Sequence, residues 1–296
     1  NLLRSLASLL EEKVPYMPLA ASSFTTIHNK LLTHLALQKH NIPMPKTWVS
    51  ANVTAAKDLL KKMNYPIVMK LPEGTQGKGV MFADSFSSAS SMLDALGVLN
   101  QPFIIQEYIE TGGADIRALV VGNKVVAAMR RKAQKEEKRA NIHAGGVGEK
   151  IKLSSQVLSL AVDTSKVLKA EVCGIDILES SEGPLVIEAN ISPGLQGLSK
   201  VVQDVNIPDE IAKYFFQRTE EAIKAKNSKR EVESIQEILF KEGDENITHE
   251  IVSKLQFRGE KIILPEWVTK LTGFSERNEF LIKAEKDKLR IKLLKM

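Results

Sequence analysis

The segment from Cys173 to Asn190, CGIDILESSEGPLVIEAN, gathers oxygen-bearing side chains at the spacing of a strand. Side chains alternate along a strand, so Glu188 and Asn190 share one face while Ile187 and Ala189 take the other. The turn residues Ser180 to Pro184 centre a hairpin near Glu182, which sets Asp176 directly across from Glu188. Two facing carboxylates repel unless one is protonated or a cation bridges them. Hard oxygen donors without a His or thiolate suit Mg²⁺, which completes its shell with water and phosphate. A solvated polar strand face would carry the same residues, so the hairpin alone leaves both readings open.

A second element is KLPEGTQGKGV, Lys70 to Val80. A strand ends in Lys70, glycines follow at 74, 77 and 79, and another strand begins. Glycines let backbone N–H groups approach a phosphate without a Cβ in the way, and Lys70 and Lys78 add charge. Gly79 follows Lys78 where a Walker A loop would have Ser or Thr, and no helix follows, so this is not a P-loop. A dinucleotide fingerprint is excluded too, because it needs a strand leading into a helix. A flexible flap over a nucleotide fits, although many ordinary β-turns look the same. The third element, Gln106-Glu107-Tyr108-Ile109, closes a strand before Gly112-Gly113 and can offer backbone groups to an adenine and a carboxylate to a ribose. Asp115 and Arg117 follow it. The fourth runs from Arg131-Lys132 through Arg139, Asn141 and His143 to Gly145-Gly146, a basic loop suited to anionic substrates.

Helical periodicity predicts helices over residues 1–12, Thr26 to Lys39, Ala55 to Met63, Ser87 to Leu96, Ser154 to Val172 and 208–225. Strands are expected at Trp48-Val49, Tyr65 to Leu71, Val80 to Phe82, Phe103 to Tyr108, and in a hairpin of Ile116 to Val121 with Lys124 to Arg130 around Gly122-Asn123. Lys226 to Asn246 reads as a charged linker with a helical segment at Ile235 to Phe240. Helices and strands alternate without a regular βαβ period, so the expected class is α+β with antiparallel sheets.

The 296 residues, 43% hydrophobic and 26% charged, describe an ordinary globular chain with room for two or three domains. No uncharged apolar run reaches the ~18 residues of a membrane span. A lone Cys173 excludes an internal disulfide framework and suits a reducing, cytoplasmic setting; between Val172 and Gly174 it reads as a core residue. The net charge is +5, and residues 248–296 hold 11 basic against 7 acidic residues. Basicity of that size permits nucleic-acid contact without requiring it.

The order and spacing of these elements resemble the ATP-grasp superfamily, and within it the RimK-like ligases. The resemblance rests on KLPEGTQGKGV, QEYIETGGADIRALVVGNKVVAAMRRKA, RANIHAGG and GIDILESSEGPLVIEANISPGLQGL, and it covers about Thr26 to Lys200. It implies two α+β lobes clasping ATP, and a ligase that joins an amino acid, often glutamate, to a carboxylate through an acyl phosphate, releasing ADP. By resemblance Lys30 and Lys70 bind phosphates under the flap of Gly74, Gln76, Gly77 and Gly79. Glu107, Tyr108 and Ile109 form the adenine hinge, and Asp115 lies near the ribose. Asp176, Glu188 and Asn190 hold Mg²⁺, with Mn²⁺ as an alternative, while Arg131, Arg139 and Asn141 lie near the acyl phosphate. The chain departs from the family at Ala144, where an Arg is usual, which puts glutamate as donor in question. The family also has an N-terminal α/β domain ahead of the first helix, so the chain is expected to be a partial product or to rely on a partner.

The implied organisation is a helix and connector over 1–23, an ATP-grasp domain over 24–216, a linker over 217–247, and a small β unit over 248–296. That last unit resembles AbrB-type swapped-hairpin domains, which dimerise and often bind DNA; Lys254, Arg258 and Lys261 fall where such domains carry basic contacts. The expected partners are thus an amino-acid donor, a protein, peptide or coenzyme carboxylate as acceptor, a second copy of the chain, and DNA through 248–296, with no membrane. A different class of function would also fit: a nucleotide-sensing regulator with a degenerate core and a DNA-binding tail. Intact Lys70, Arg131, Asp176, Glu188 and Asn190 argue for the ligase.

Overall fold

The computed structural model describes residues 2–50, 52–72, 79–99, 101–133, 147–239, 256–265, 268–269 and 272–294. It comprises two units, Asn1–Glu220 and Glu221–Met296. In the first unit α1 (Leu2–Glu11) and a connector lead to α2 (Ala21–His28) and α3 (Lys30–Lys39). The single helix expected from Thr26 to Lys39 is therefore broken. Asn29 has an extended backbone, and its side-chain oxygen accepts from the Leu31 and Leu32 N–H groups at 3.0 and 3.1 Å, capping α3.

The next elements are β1 (Thr47–Ser50), α4 (Val53–Leu60), β2 (Ile67–Lys70), β3 (Val80–Ala83), α5 (Phe86–Val98) and β4 (Phe103–Glu107). The four strands form an antiparallel sheet in the order β1-β4-β2-β3. One face carries Ile67, Met69, Phe103 and Ile105, buried against Leu60 of α4 and Leu93 of α5. The strand alternation places Lys70, Ile104, Gln106 and Thr47 on the other face, where they line a cleft.

A second sheet holds β5 (Ala114–Val121), β6 (Lys124–Lys132), β7 (Val147–Lys150), β8 (Val172–Ser180) and β9 (Gly183–Asn190), with α6 (Ser155–Val167) between β7 and β8. Its order is β7-β6-β5-β8-β9, antiparallel throughout. Ile116, Ala118, Val120, Ile175 and Ile177 pack on Val157, Leu160 and Ala161 of α6. On the opposite face Leu119, Val121 and Met129 pack on Leu198 of α7 (Leu195–Val201) and on Ile207, which opens α8 (Ile207–Leu239). That same face turns polar beyond Leu119, and there the candidate site is built. The antiparallel α+β class expected from the sequence is the one found.

Four further elements depart from expectation. The helix expected to reach Val172 ends at Val167, because Lys169 takes φ 50° and Ala170 bridges to Leu19 before β8 begins. The charged stretch from Lys226 continues α8 as far as Leu239, where a linker with a helical segment was expected. The short elements β7 and α7 had no counterpart in the sequence reading.

The second unit contains two hairpins, β10 (Gln256–Arg258) with β11 (Lys261–Ile263), and β12 (Phe280–Glu285) with β13 (Lys288–Leu293). The β12–β13 register pairs Phe280 with Leu293, Ile282 with Ile291 and Ala284 with Leu289, so one face is wholly apolar. Phe274 packs against Phe280 at a tilt, with ring centroids 4.7 Å apart.

Candidate active site

Four strands bring alternating charges together on one face of the second sheet. Asp176 lies opposite Glu188 on β9 and opposite Arg117 on β5, while Asp115 lies opposite Arg131 on β6. Arg117 grips Asp176 with two parallel bonds, Nε to Oδ1 and Nη2 to Oδ2, the latter at 2.8 Å. Arg131 holds Asp115 in the same way, at 2.6 and 2.7 Å, and its Nη2 also stands 3.0 Å from Asp176 Oδ2. Forked pairs of this kind fix both planes at once. Gly174 makes the first pair feasible: a Cβ there would come within 3.1 Å of Arg117 Cδ and 3.0 Å of Pro193.

Asp176 and Arg131 are 3% and 5% exposed, so these charges persist only because they neutralise one another. Burial raises the pKa of Asp176, but the Arg117 and Arg131 guanidiniums outweigh it and hold the carboxyl below its ordinary value. For Asp115 burial wins over the Arg131 contact, and its pKa lies above the usual range. Burial disfavours the charge on Arg131, yet the Asp176 and Asp115 carboxylates keep it firmly protonated.

Glu188 behaves differently. Among the described residues its carboxylate accepts no hydrogen bond. Burial first, then the Asp176 charge, raise its pKa, with Lys30 and Lys70 pulling the other way. A half-buried carboxylate facing another carboxylate across a ladder is the arrangement a divalent cation relieves. Asn190 places its amide 3.5 Å from Asp176 Oδ2. Among the described residues no group of three His, Cys, Asp or Glu side chains surrounds a metal position. The set here is two carboxylates and an amide, and its all-oxygen chemistry fits Mg²⁺, with phosphate and water filling the shell.

The cleft beside this cluster is lined by α3, β2, β4 and β9. Lys30 and Lys70 border it together with Glu188, Gln106 and Thr47. Lys70 Nζ donates to Gln106 Oε1 at 2.6 Å, and Gln106 Nε2 donates to Thr47 Oγ1 at 2.9 Å. Burial pushes the Lys70 pKa down to about 8; Glu188 and Asp176 resist that shift and Lys30 adds to it. An anionic group in the cleft would restore the full charge of Lys70.

The expected site residues thus fall into three groups. Lys30, Lys70, Asp176, Glu188, Asn190 and Arg131 converge on the cleft or its adjoining sheet face. Glu107, Tyr108 and Ile109 leave the first sheet at the end of β4 and lead to β5 of the second, and the Glu107 carboxylate accepts the Lys46 N–H at 2.6 Å. Asp115, expected near a ribose, has both carboxylate oxygens engaged by Arg131. Gly79 lies at the base of the flap, where its carbonyl accepts the Leu71 N–H at 3.0 Å. Gly74, Gln76, Gly77, Arg139 and Asn141 lie outside the described residues, as does Ala144. Cys173 is fully buried, with its thiol pushed up to about 11 by burial, in keeping with a core role. Sequence reasoning named Arg117 without a role; its place two residues after Asp115, on the same strand face, was the available clue.

The chain is 46% identical over 172 residues to the "Probable alpha-L-glutamate ligase" of Saccharophagus degradans, a match that covers 57% of each protein. The chain therefore spans little more than half the length of this curated relative. Among solved structures, the ATP-grasp ligase PsnB, complexed with a phosphomimetic variant of its minimal precursor, Mg and ADP, superposes with a TM-score of 0.52 at 20% identity, over 67% of this chain and 61% of that one. The D-alanine–D-alanine ligase of Bacillus anthracis complexed with ATP gives a TM-score of 0.57 at 22% identity, over 73% of this chain and 76% of the other. Likenesses at that identity show the fold alone. The model of the RimK-like ATP-grasp domain matches residues 27–215, which are the residues that form both sheets and the cleft between them, and the chain belongs to that family.

Proposed function

We propose that this chain binds Mg-ATP and activates a carboxylate for attack by the amine of an amino acid, forming an amide bond and releasing ADP and phosphate. The observation that carries the reading is Glu188: a carboxylate opposite Asp176 that accepts no hydrogen bond among the described residues, beside Lys30 and Lys70 in the cleft. A carboxylate oxygen of the acceptor attacks the γ-phosphorus and ADP departs. The amine then attacks the acyl carbon, phosphate departs with the C–O bond, and the amine loses a proton. Mg²⁺ held by Asp176, Glu188 and Asn190 would neutralise charge on the phosphates. Lys70 and Lys30 bind phosphate oxygens. Arg131, poised by Asp115 beside Asp176, supplies positive charge to the transferring group.

Glutamate as the amine donor is supported by the name of the 46% identical relative. The acceptor is a protein, peptide or coenzyme carboxylate, and PsnB's complex with its precursor peptide offers a precedent within the fold. The second unit acts as a dimerisation element. Arg258 and Lys261, with Lys283, Arg290 and Lys292 on the charged face of β12–β13, would suit an anionic partner such as DNA. The nucleotide-sensing alternative finds no support in the site, whose charged residues are all paired or placed for ligands.

Replacing Glu188 by Gln removes a ligand charge and little volume. The variant should keep the wild-type melting temperature and lose ADP release from Mg-ATP with glutamate and a panel of carboxylate acceptors. Near-normal turnover would defeat the assignment.

A further inference from the structure

His34 is a half-buried histidine lining the cleft to which none of the roles above extends. It stands four residues after Lys30 on α3, so both project from the same helix face. Among the described residues the imidazole makes no hydrogen bond or ion pair. Burial lowers its pKa from 6.5, so the ring is neutral near pH 7 and offers one N–H donor and one acceptor. A neutral ring in the cleft, with no hydrogen-bond partner among the described residues, is placed for a ligand rather than for the fold.

The position along α3 narrows that ligand. At the start of α3 the Lys30 N–H binds the Pro72 carbonyl at the base of the flap, and the Lys30 side chain shares the cleft with Lys70 and Glu188. This is the anionic end. Beyond His34 the wall becomes Leu37, Met44 and Val186, and the Val186 N–H is tied to Pro43 at 2.9 Å. This end is apolar and suits a flat base. His34 lies between the two, where Gln106 is already committed to Lys70 and Thr47. We propose that His34 is a nucleotide-binding residue that hydrogen-bonds a ribose hydroxyl, between a base at the apolar end and phosphates at the lysines. The proposal rests on the nucleotide reading of the cleft and adds to it a sugar contact from the helix.

The test is calorimetric titration of the full chain, in Mg²⁺, with ADP, 2′-deoxy-ADP, 3′-deoxy-ADP and inorganic tripolyphosphate, for wild type and His34→Leu. The variant should bind ADP about three- to tenfold more weakly, the scale of one neutral hydrogen bond. It should bind tripolyphosphate as the wild type does. One of the deoxy analogues should bind both proteins equally, because it lacks the contacted hydroxyl. Unchanged ADP affinity in a variant with the wild-type melting temperature overturns the proposal, and so does equal weakening of ADP and tripolyphosphate. In the wild type alone, equal affinity for ADP and both deoxy analogues also overturns it. Failure of the wild type to bind ADP at all would instead remove the nucleotide reading on which it rests.

Discussion

Arg117 holds Asp176 by both carboxylate oxygens, so the rotamer of the expected metal ligand is set by a neighbouring side chain on β5. Asp176 Oδ2 is also 3.0 Å from Arg131 Nη2 and 3.5 Å from the Asn190 amide nitrogen. Groups that orient metal ligands commonly account for 10–100-fold in metal affinity when lost. Lysine retains the charge of Arg117 but not the fork, and it cannot fix the carboxylate plane. Arg117→Lys should therefore weaken Mn²⁺ binding, read by electron paramagnetic titration of free Mn²⁺, by about tenfold. Metal-free melting should change little. Wild-type Mn²⁺ affinity in that variant would mean that Asp176 needs no brace. The Asp176–Glu188 opposition was expected from a turn centred near Glu182, but the turn pairs Ser180 with Gly183, and a β-bulge between Asp176 and Ile177 is what brings Asp176 opposite Glu188. The Arg117–Asp176 pair was not readable in the sequence, since it joins residues 59 apart, and no local pattern sets the β5–β8 register. The Asp115–Arg131 pair crosses a two-residue turn, yet a β-bulge between Leu119 and Val120 shifts its register.

At the scale of elements, the turn between β5 and β6 shows how closely the second sheet is seated on α8. Gly122 takes φ 63°, and a Cβ there would lie 2.4 Å from Tyr214 Cε2. The Tyr214 hydroxyl donates to Glu171 Oε2 at 2.8 Å; Tyr16 donates to the same oxygen, and Arg218 stands 5.2 Å over the Tyr16 ring. Glu171 thus ties the connector before α2, the start of β8 and the first turns of α8 into one knot. Gly122→Ala combines a left-handed backbone penalty of about 1–2 kcal/mol with overpacking of about 1–3 kcal/mol. We expect a loss near 3 kcal/mol and a melting midpoint lower by roughly 6–12 °C, measured by circular dichroism. A shift below ~2 °C would show that Tyr214 swings aside at no cost. The hairpin around Gly122-Asn123 was legible, because a turn pair between alternating strands is a local signal. The break at Asn29 was masked by unbroken apolar periodicity across it. The end of α6 at Val167 depends on Ala170 bridging to Leu19, a contact that local helical periodicity does not encode.

At the scale of the molecule, the two units differ in how far they complete themselves. The first buries Leu60, Met69, Ile105, Ile116, Leu119 and Ile175 to 0–1% exposure, as a self-sufficient core does. In the second, Ile282 is 60% exposed and Leu289 49%, although both lie on the face that β12 and β13 make entirely apolar. Two-stranded hairpins are marginal alone in water and gain stability when an apolar face is covered. The opposite face carries Lys283, Glu285, Lys288, Arg290 and Lys292 beside Leu281, so the wholly apolar side is the one that asks for a cover. A second copy meets that need with identical chemistry, because the same face is self-complementary across a two-fold axis. We expect the wild-type chain to sediment as a dimer at micromolar concentration. Ile282→Glu would place a charge at the centre of the covered face, where an unpaired buried carboxylate costs several kcal/mol. Because Ile282 is exposed within its own chain, the substitution spares the fold of the monomer. The variant should sediment as a monomer with its far-ultraviolet spectrum and ADP affinity unchanged. A wild-type monomer, or a variant that stays dimeric, would assign that face to some other occupant and leave the catalytic unit to act alone.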